Sequence, residues 1–238
     1  MPSPKRHGVA RVLSKLGLAS RTQAAEWVRA GRVTVNGAVV LDPEHPVRQG
    51  TDRVEVDGQA CDPAGRLVVM LNKPRGLVTT ARDERGRDTV YRCFAGADLP
   101  WLAPVGRLDQ ASEGLLLFTN DPAFAARITH PDTGPAKTYH VQVDCVPDAA
   151  RLEAIRAGAD VDGERLTAVD VQLLRAGRRN AWLIVVLDEG RNRQIRRLLA
   201  AFGIRVLRLV RVAIGNLALG TLPKGQWRIV TDTEVDAL

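Results

Sequence analysis

Apolar and polar positions along this chain follow two periods, and the period changes from segment to segment. Val9, Val12, Leu13 and Leu16 recur on one helical face, and Gly17 stops the run. Ser20 followed by Gln23 has the spacing of a capping box, which predicts a second helix with Ala24, Trp27 and Val28 facing inward and Gly31 at its end. Val33 and Val35 then alternate with polar residues up to Asn36 and Gly37, a hairpin signal, and residues 53–56 before Asp57 and Gly58 make a second short strand and turn. Residues 62–66, with Pro63 and Gly65, read as a linker. Beyond it the strand period dominates. Residues 67–71 are an apolar strand, and residues 115–118, opened by Gly114 and closed by Asn120, Asp121 and Pro122, read as a strand buried on both faces. A short helix over 123–128 and a loop over 129–136 lead to a half-buried strand over 137–143, with Tyr139, Val141 and Val143 on one face. Residues 148–157 form a helix closed by Gly158, residues 166–174 and 181–187 further strands, and residues 204–212 another. The 181–187 run is nearly all apolar, so a central position in the sheet is expected. Between the last two, Ile195, Leu198, Leu199 and Phe202 share one helical face.

The pattern predicts an α+β protein: a small module of two helices and a hairpin over residues 1–61, then a larger domain over 67–238 with a mixed, mainly antiparallel sheet. A chain of 238 residues can bury a core of that size. Charge adds a direction. The net charge is +7, and it is segregated: residues 1–35 carry Lys5, Arg6, Arg11, Lys15, Arg21, Arg29 and Arg32 against Glu26 alone, while residues 36–65 are mostly acidic. Such segregation points to a basic face for a polyanion. Cys61, Cys93 and Cys145 lie far apart and the four histidines are scattered, which argues against a zinc site or a disulfide framework. With no run of membrane-span length and no signal-peptide pattern, a cytoplasmic protein without a membrane partner is expected.

Two stretches carry candidate chemistry. In residues 106–122, GRLDQASEGLLLFTNDP, Asp109 stands just before a buried strand, on a loop flanked by Arg107 and Gly114. A carboxylate so placed is fixed yet reachable, as a covalent carboxylate catalyst must be, although a turn-capping Asp paired with its neighbouring Arg would look the same. In residues 189–197, EGRNRQIRR, arginines flank an apolar helical face.

GRLD followed by SEGLLLFTND resembles the catalytic segment of the RsuA/RluB/RluE/RluF-like family of ribosomal RNA pseudouridine synthases. Likewise, residues 9–57 resemble an S4 RNA-binding domain, LNKPRG at 71–76 resembles the opening of the synthase domain, and residues 222–228 resemble its closing turn and strand. Several assignments follow from the resemblance. Asp109 is the essential residue, Arg191 pairs with it, Tyr139 of the K-x-Y segment stacks on the target base, and Ile195 packs against it. Arg107 joins the substrate site. The basic face of the S4-like helices holds structured RNA through phosphates; Thr22 stands where the family is often basic. Lys73 and Arg75 either reach phosphates or are polar residues of a tight turn, and Arg193, Arg196 and Arg197 clamp the backbone. SEGLLLFTND and NRQIRR are most similar to members acting on large-subunit ribosomal RNA. Residues 82–88 are expected to be a mobile loop near the substrate.

The implied reaction breaks the N1–C1′ bond of a uridine, turns the base and joins C5 to C1′, so no cofactor and no metal are required. Asp109 would act at C1′ or C6 as nucleophile, or at C2′ as proton acceptor; both routes stay open. The partner is a structured stem-loop of ribosomal RNA, met by a monomer. A non-enzymatic RNA-binding or ribosome-assembly protein on the same scaffold would be expected to lack Asp109, Tyr139 or Arg191, and all three are present. A glycoside hydrolase would need a second carboxylate as acid, for which Glu113 is the nearby candidate.

Overall fold

The computed structural model describes residues 6–48, 50–61 and 65–238. The expected linker residues Asp62, Pro63 and Ala64, and the expected RNA contact Lys5, lie outside the described residues. The chain packs as two units, though not by a single cut near residue 65. One unit holds the described residues up to Leu67 together with Gly96–Ala103 and Thr119–Pro122; the other holds Val68–Ala95, Pro104–Phe118 and Ala123–Leu238. In the first unit, for example, the Trp101 N–H donates to the Gly17 carbonyl at 2.7 Å.

The first unit runs β1 (Arg6–Gly8), α1 (Val9–Lys15), α2 (Arg21–Arg29), β2 (Val33–Val35), β3 (Ala38–Val39), β4 (Pro46–Arg48), β5 (Val54–Val56) and β6 (Gln59–Ala60). Ser20 caps α2, its hydroxyl accepting from the Gln23 N–H at 3.1 Å. The two expected turns form as primed hairpins, with Asn36, Gly37, Asp57 and Gly58 all at positive φ. They order a small sheet β3-β2-β5-β6, which shares one core with both helices through Val9, Leu13, Ala24, Val28, Val33 and Val54. The pairing of β1 with β4 had no signal in the pattern.

The second unit continues with β7 (Val68–Lys73), a 3-10 turn (Val90–Phe94), β8 (Ala103–Val105), β9 (Glu113–Thr119), α3 (Pro122–Thr129), β10 (Lys137–Val143), α4 (Ala149–Ala157), β11 (Ala159–Val161), β12 (Glu164–Leu166), β13 (Asp170–Ala176), β14 (Ala181–Leu187), α5 (Gln194–Ala201), β15 (Val206–Ile214), β16 (Leu217–Ala218), β17 (Trp227–Ile229) and α6 (Asp232–Asp236). Nine strands among the described residues form one sheet in the order β13-β14-β10-β15-β9-β7-β17, with β16 on β15 and β8 on β9. It is mixed, as expected: β15 and β9 are parallel, whereas β10 is antiparallel to both β14 and β15.

Three expectations are corrected. The predicted 166–174 strand is broken: Leu166 ends the hairpin β11–β12, whose turn is Asp162 and Gly163 at φ 52° and 78°, and a separate strand starts at Asp170. β14 is second from the sheet edge and alternates between buried and half-buried, so its apolar run reflects one covered face and one partly open face. β7 extends past Leu71 to take in Asn72 and Lys73, both buried. β9 is buried along its whole length: Leu115 and Leu117 face a core with Val68, Met70, Val105 and Ile128, while Phe118 meets Phe94 at 4.8 Å between ring centres. Among the described residues no helix is long and apolar enough to cross a membrane.

Candidate active site

Asp109 lies in the tight turn between β8 and β9, closed by the Ser112 N–H donating to the Asp109 carbonyl at 2.9 Å. Lys73, at the end of β7, holds this turn from beneath. Its ammonium is wholly buried and donates to the carbonyls of Ser112 at 2.8 Å, Pro74 at 3.1 Å and Asp109 at 3.2 Å. Burial pushes its pKa down to about 8, against the opposing pull of Asp109. A second latch joins the turn to residue 76: the Gly76 N–H donates to the Gln110 carbonyl at 2.7 Å, and the Gln110 amide donates back to the Gly76 carbonyl at 3.0 Å. Thr79 adds a third, its hydroxyl donating to the Leu108 carbonyl at 2.8 Å. The Asp109 backbone is therefore fixed on several sides while its carboxylate stays 35% exposed. That combination is what a preorganised catalytic group requires.

The carboxylate borders a cavity of about 320 Å³. Tyr139 and Ile195, both buried, line it, together with Arg107, Arg191 and Arg193 at its more exposed side and Lys137 and Arg211 elsewhere in its wall. The sequence thus placed Arg107, Asp109, Tyr139, Arg191 and Ile195 in one site, and all five meet at this cavity. A neighbouring depression shares Arg107, Asp109 and Asn192 and is lined by Arg82, Arg85 and Arg87 of the expected substrate loop. That loop is tied by Asp83, which accepts from Arg87 and from the Arg85 N–H.

The pairing expected between Arg191 and Asp109 is not formed. Arg191 instead donates to Glu189, two residues away, at 2.8 Å and to the Arg165 carbonyl at 3.0 Å. The cation at Asp109 is Arg193, whose Nη1 is 3.4 Å from Oδ2. Arg193 stands at the N-cap of α5 in the left-handed conformation, φ 48°, and both partners remain partly exposed. Arg196 grips the same turn from behind, donating to the Ala111 carbonyl at 3.4 Å.

Other assigned phosphate contacts are also corrected. Lys73 is occupied by carbonyls and inaccessible. Arg196 is half-buried against Ala111 and Val206, and burial lowers its pKa. Arg197 is held by Glu164 at 2.6 Å and Asp162 at 3.4 Å, because the unforeseen β11–β12 hairpin brings both acids against α5. Arg32 makes a bidentate pair with Asp57 and lies over the Trp27 ring at 5.2 Å, so much of its charge is used within its own module. Arg6, Arg11, Arg21 and Arg29 are exposed, and Lys15 contacts His7 at 3.1 Å.

Sequence reasoning missed Arg211 and Lys137 in the wall of the cavity, although the signals were present. Lys137 precedes Tyr139 by two on a strand and so shares its face, and Arg211 follows buried Leu209 by the same step. It also missed the structural task of Glu113. That carboxylate is 2% exposed, accepts two hydrogen bonds from Arg208 at 2.8 and 2.9 Å, and pairs with Lys224. The Arg208 hydrogen bonds, followed by that of Lys224, overcome burial and hold it down at about 2. An acid ionised at every working pH cannot protonate a leaving group, which removes the glycoside hydrolase reading. Because the folded value lies below the ordinary 4.5, its stabilisation is complete above that pH and fades as pH falls toward 2. Glu113→Gln should therefore cost about 2–3 kcal/mol at pH 7, with the gap to wild type closing in acid denaturation curves between pH 4.5 and 2.

Comparison with known proteins bears on the chain as a whole. The family model described as RNA pseudouridylate synthase matches residues 67–201, and that of the S4 domain matches residues 9–54. An RNA pseudouridine synthase of Aquifex aeolicus is 36% identical over 96% of this chain and 92% of its own length. Ribosomal large subunit pseudouridine synthase B of Bacillus subtilis is 35% identical over 96% of this chain and 93% of its own. A crystal structure of a pseudouridylate synthase superposes with a TM-score of 0.69 at 28% identity, covering 97% of this chain and 99% of that one.

Proposed function

Because the chain belongs to the RNA pseudouridylate synthase family, we propose that it isomerises a uridine of large-subunit ribosomal RNA, with Asp109 as the catalytic carboxylate. The observation that carries the catalytic assignment is a carboxylate whose backbone is clamped by Lys73, Gly76 and Thr79 but whose oxygens face a cavity walled by Tyr139 and Ile195. A uridine within a helix cannot enter such a cavity, so the nucleotide is turned out of its stack. Tyr139 packs on the base and Ile195 offers an apolar surface on which it can rotate. Asp109 then acts at C1′ or takes the C2′ proton. Arg193, with Nη1 3.4 Å from Oδ2, is the cation that faces the carboxylate.

Phosphates meet the exposed arginines. Arg107 and Arg193 border the cavity, Arg82 and Arg85 line the adjoining depression, and Arg6, Arg11, Arg21 and Arg29 of the S4-like module supply sequence-independent affinity. Large-subunit RNA is favoured by the likeness to the Bacillus subtilis protein over nearly the whole of both chains. The test is pseudouridine mapping of ribosomal RNA from a strain lacking the gene. One or a few large-subunit positions should lose their signal and regain it with the wild-type gene. Persistence of every ribosomal pseudouridine would exclude this target.

A further inference from the structure

Arg211 is 5% exposed and lies in the wall of the reaction cavity. Its Nε donates to the Leu115 carbonyl at 2.7 Å, which fixes the guanidinium plane. Its Nη2 is enclosed and has no hydrogen-bond partner. An enclosed guanidinium nitrogen without an acceptor is costly, and such a group calls for an explanation. The fold goes out of its way to put it there. Arg211 pairs with Gly114 across the parallel β15–β9 contact, where Gly114 has φ +99° and a Cβ would come within 2.2 Å of the Arg211 carbonyl oxygen. On its other side Arg211 is in register with Tyr139, so the two neighbour each other across the strands. Two residues before Tyr139 comes Lys137, half-buried in the same cavity wall. Repulsion from Arg211 adds to burial in lowering the Lys137 pKa, with Asp188 opposing, so the two cations sense one another.

Two adjacent cations in a largely buried wall, one of them unsatisfied, make a site for negative charge. We propose that Lys137 and Arg211 hold the uracil ring and stabilise the negative charge it takes on when the N1–C1′ bond breaks. This rests on the pseudouridine synthase reading above. In that step the electron pair of the bond leaves with the base, giving a uracil anion whose charge spreads over N1, O2 and O4. C1′ is retained on the ribose, either bound to the Asp109 carboxylate or as the alkene left when Asp109 takes the C2′ proton. Bonding of C5 to C1′, loss of the C5 proton and protonation of N1 (with return of the C2′ proton on the second route) restore neutrality, so nothing is gained or lost overall. The base, not a phosphate, is the group these cations meet. Arg211 is buried beside Tyr139, whereas Arg107 and Arg193, the cavity arginines suited to phosphates, are exposed.

The experiment compares one RNA stem-loop carrying either uridine or 5-fluorouridine at the target position. Fluorine withdraws electrons and makes the departing base a better anion, so it needs less help. Single-turnover loss of the intact nucleoside is followed for wild type, Lys137→Met and Arg211→Met, with RNA affinity and thermal melting measured on each. Each variant should be slowed about 100-fold on uridine but only about tenfold or less on 5-fluorouridine, with RNA affinity nearly unchanged. Equal slowing on both substrates overturns the proposal. Equal slowing with weakened, less salt-dependent RNA binding also overturns it and makes the pair a phosphate contact. Lys137→Met removes no hydrogen bond seen in the structure, so it decides the matter if Arg211→Met melts early. Failure of the wild-type protein to convert uridine would instead reject the target or the reaction itself.

Discussion

Asp109→Asn abolishes turnover and leaves RNA binding intact, or slightly tighter. Asparagine keeps the shape of the side chain but is neither a nucleophile nor a base at C2′, so both routes open to the carboxylate are closed. A fall of at least about four powers of ten is expected, which at ~1.4 kcal/mol per tenfold is roughly 5–6 kcal/mol of transition-state stabilisation. Affinity has a different source. It comes mainly from phosphates neutralised by exposed arginines, and removing one negative charge from a basic site does not weaken that attraction. Stability should hardly move, because the carboxylate is partly exposed and its ion pair with Arg193 is long at 3.4 Å. Single-turnover assays and binding curves on the same stem-loop check both halves. Conversion by the purified variant clearly above a no-enzyme control would remove Asp109 from the reaction.

How much of this was legible beforehand depended on the range of the signal. Local signals held: the Ser20 cap, the hairpin turns at Asn36 and Asp57, the Gly158 stop and the doubly buried β9 all form where periodicity and turn chemistry put them. The errors came from partners distant in sequence. Arg197 looked like a free phosphate ligand until the β11–β12 hairpin set Glu164 beside it, although its Asp162 and Gly163 turn was itself a readable hairpin signal. Arg191 and Arg193 are equivalent by composition. Only the left-handed N-cap of α5 and the nearby Glu189 decide which of them turns to Asp109. Lys73 reads as a phosphate contact or a polar residue of a tight turn, and the structure instead buries it at the end of β7, where three carbonyls converge. The candidate site could thus be listed from residue types and motif spacing, but the charge pairing within it is a property of tertiary packing.

Lys73 carries the second large expected effect. Lys73→Met nearly preserves the volume of the side chain while removing the ammonium that donates to the carbonyls of Pro74, Asp109 and Ser112. The carbonyls of Pro74 and Ser112 lose this partner at about 1 kcal/mol or more each, while that of Asp109 keeps the Ser112 N–H, and the loss is partly offset because the buried ammonium is no longer desolvated. A net loss near ~2 kcal/mol is expected in denaturant titrations. Activity should suffer more, by about 100-fold, because the Asp109 turn loses the group that sets its position and small displacements of a reacting group are expensive. The pH profile distinguishes positioning from mere loss of stability. Lys73 is held at about 8 by burial, so raising the pH through that value leaves a neutral amine with two N–H groups for three carbonyls. Wild-type turnover should decline above about pH 8, and Lys73→Met should lack that limb. Unfolding linked to Lys73 cannot produce the wild-type decline. The folded value lies below the ordinary 10.5, so between these two values the unfolded chain binds more protons and Lys73 contributes rising stability with pH. A wild-type rate that stays flat through pH 9, or a Met variant with the same alkaline limb, would show that the Lys73 ammonium does not position Asp109.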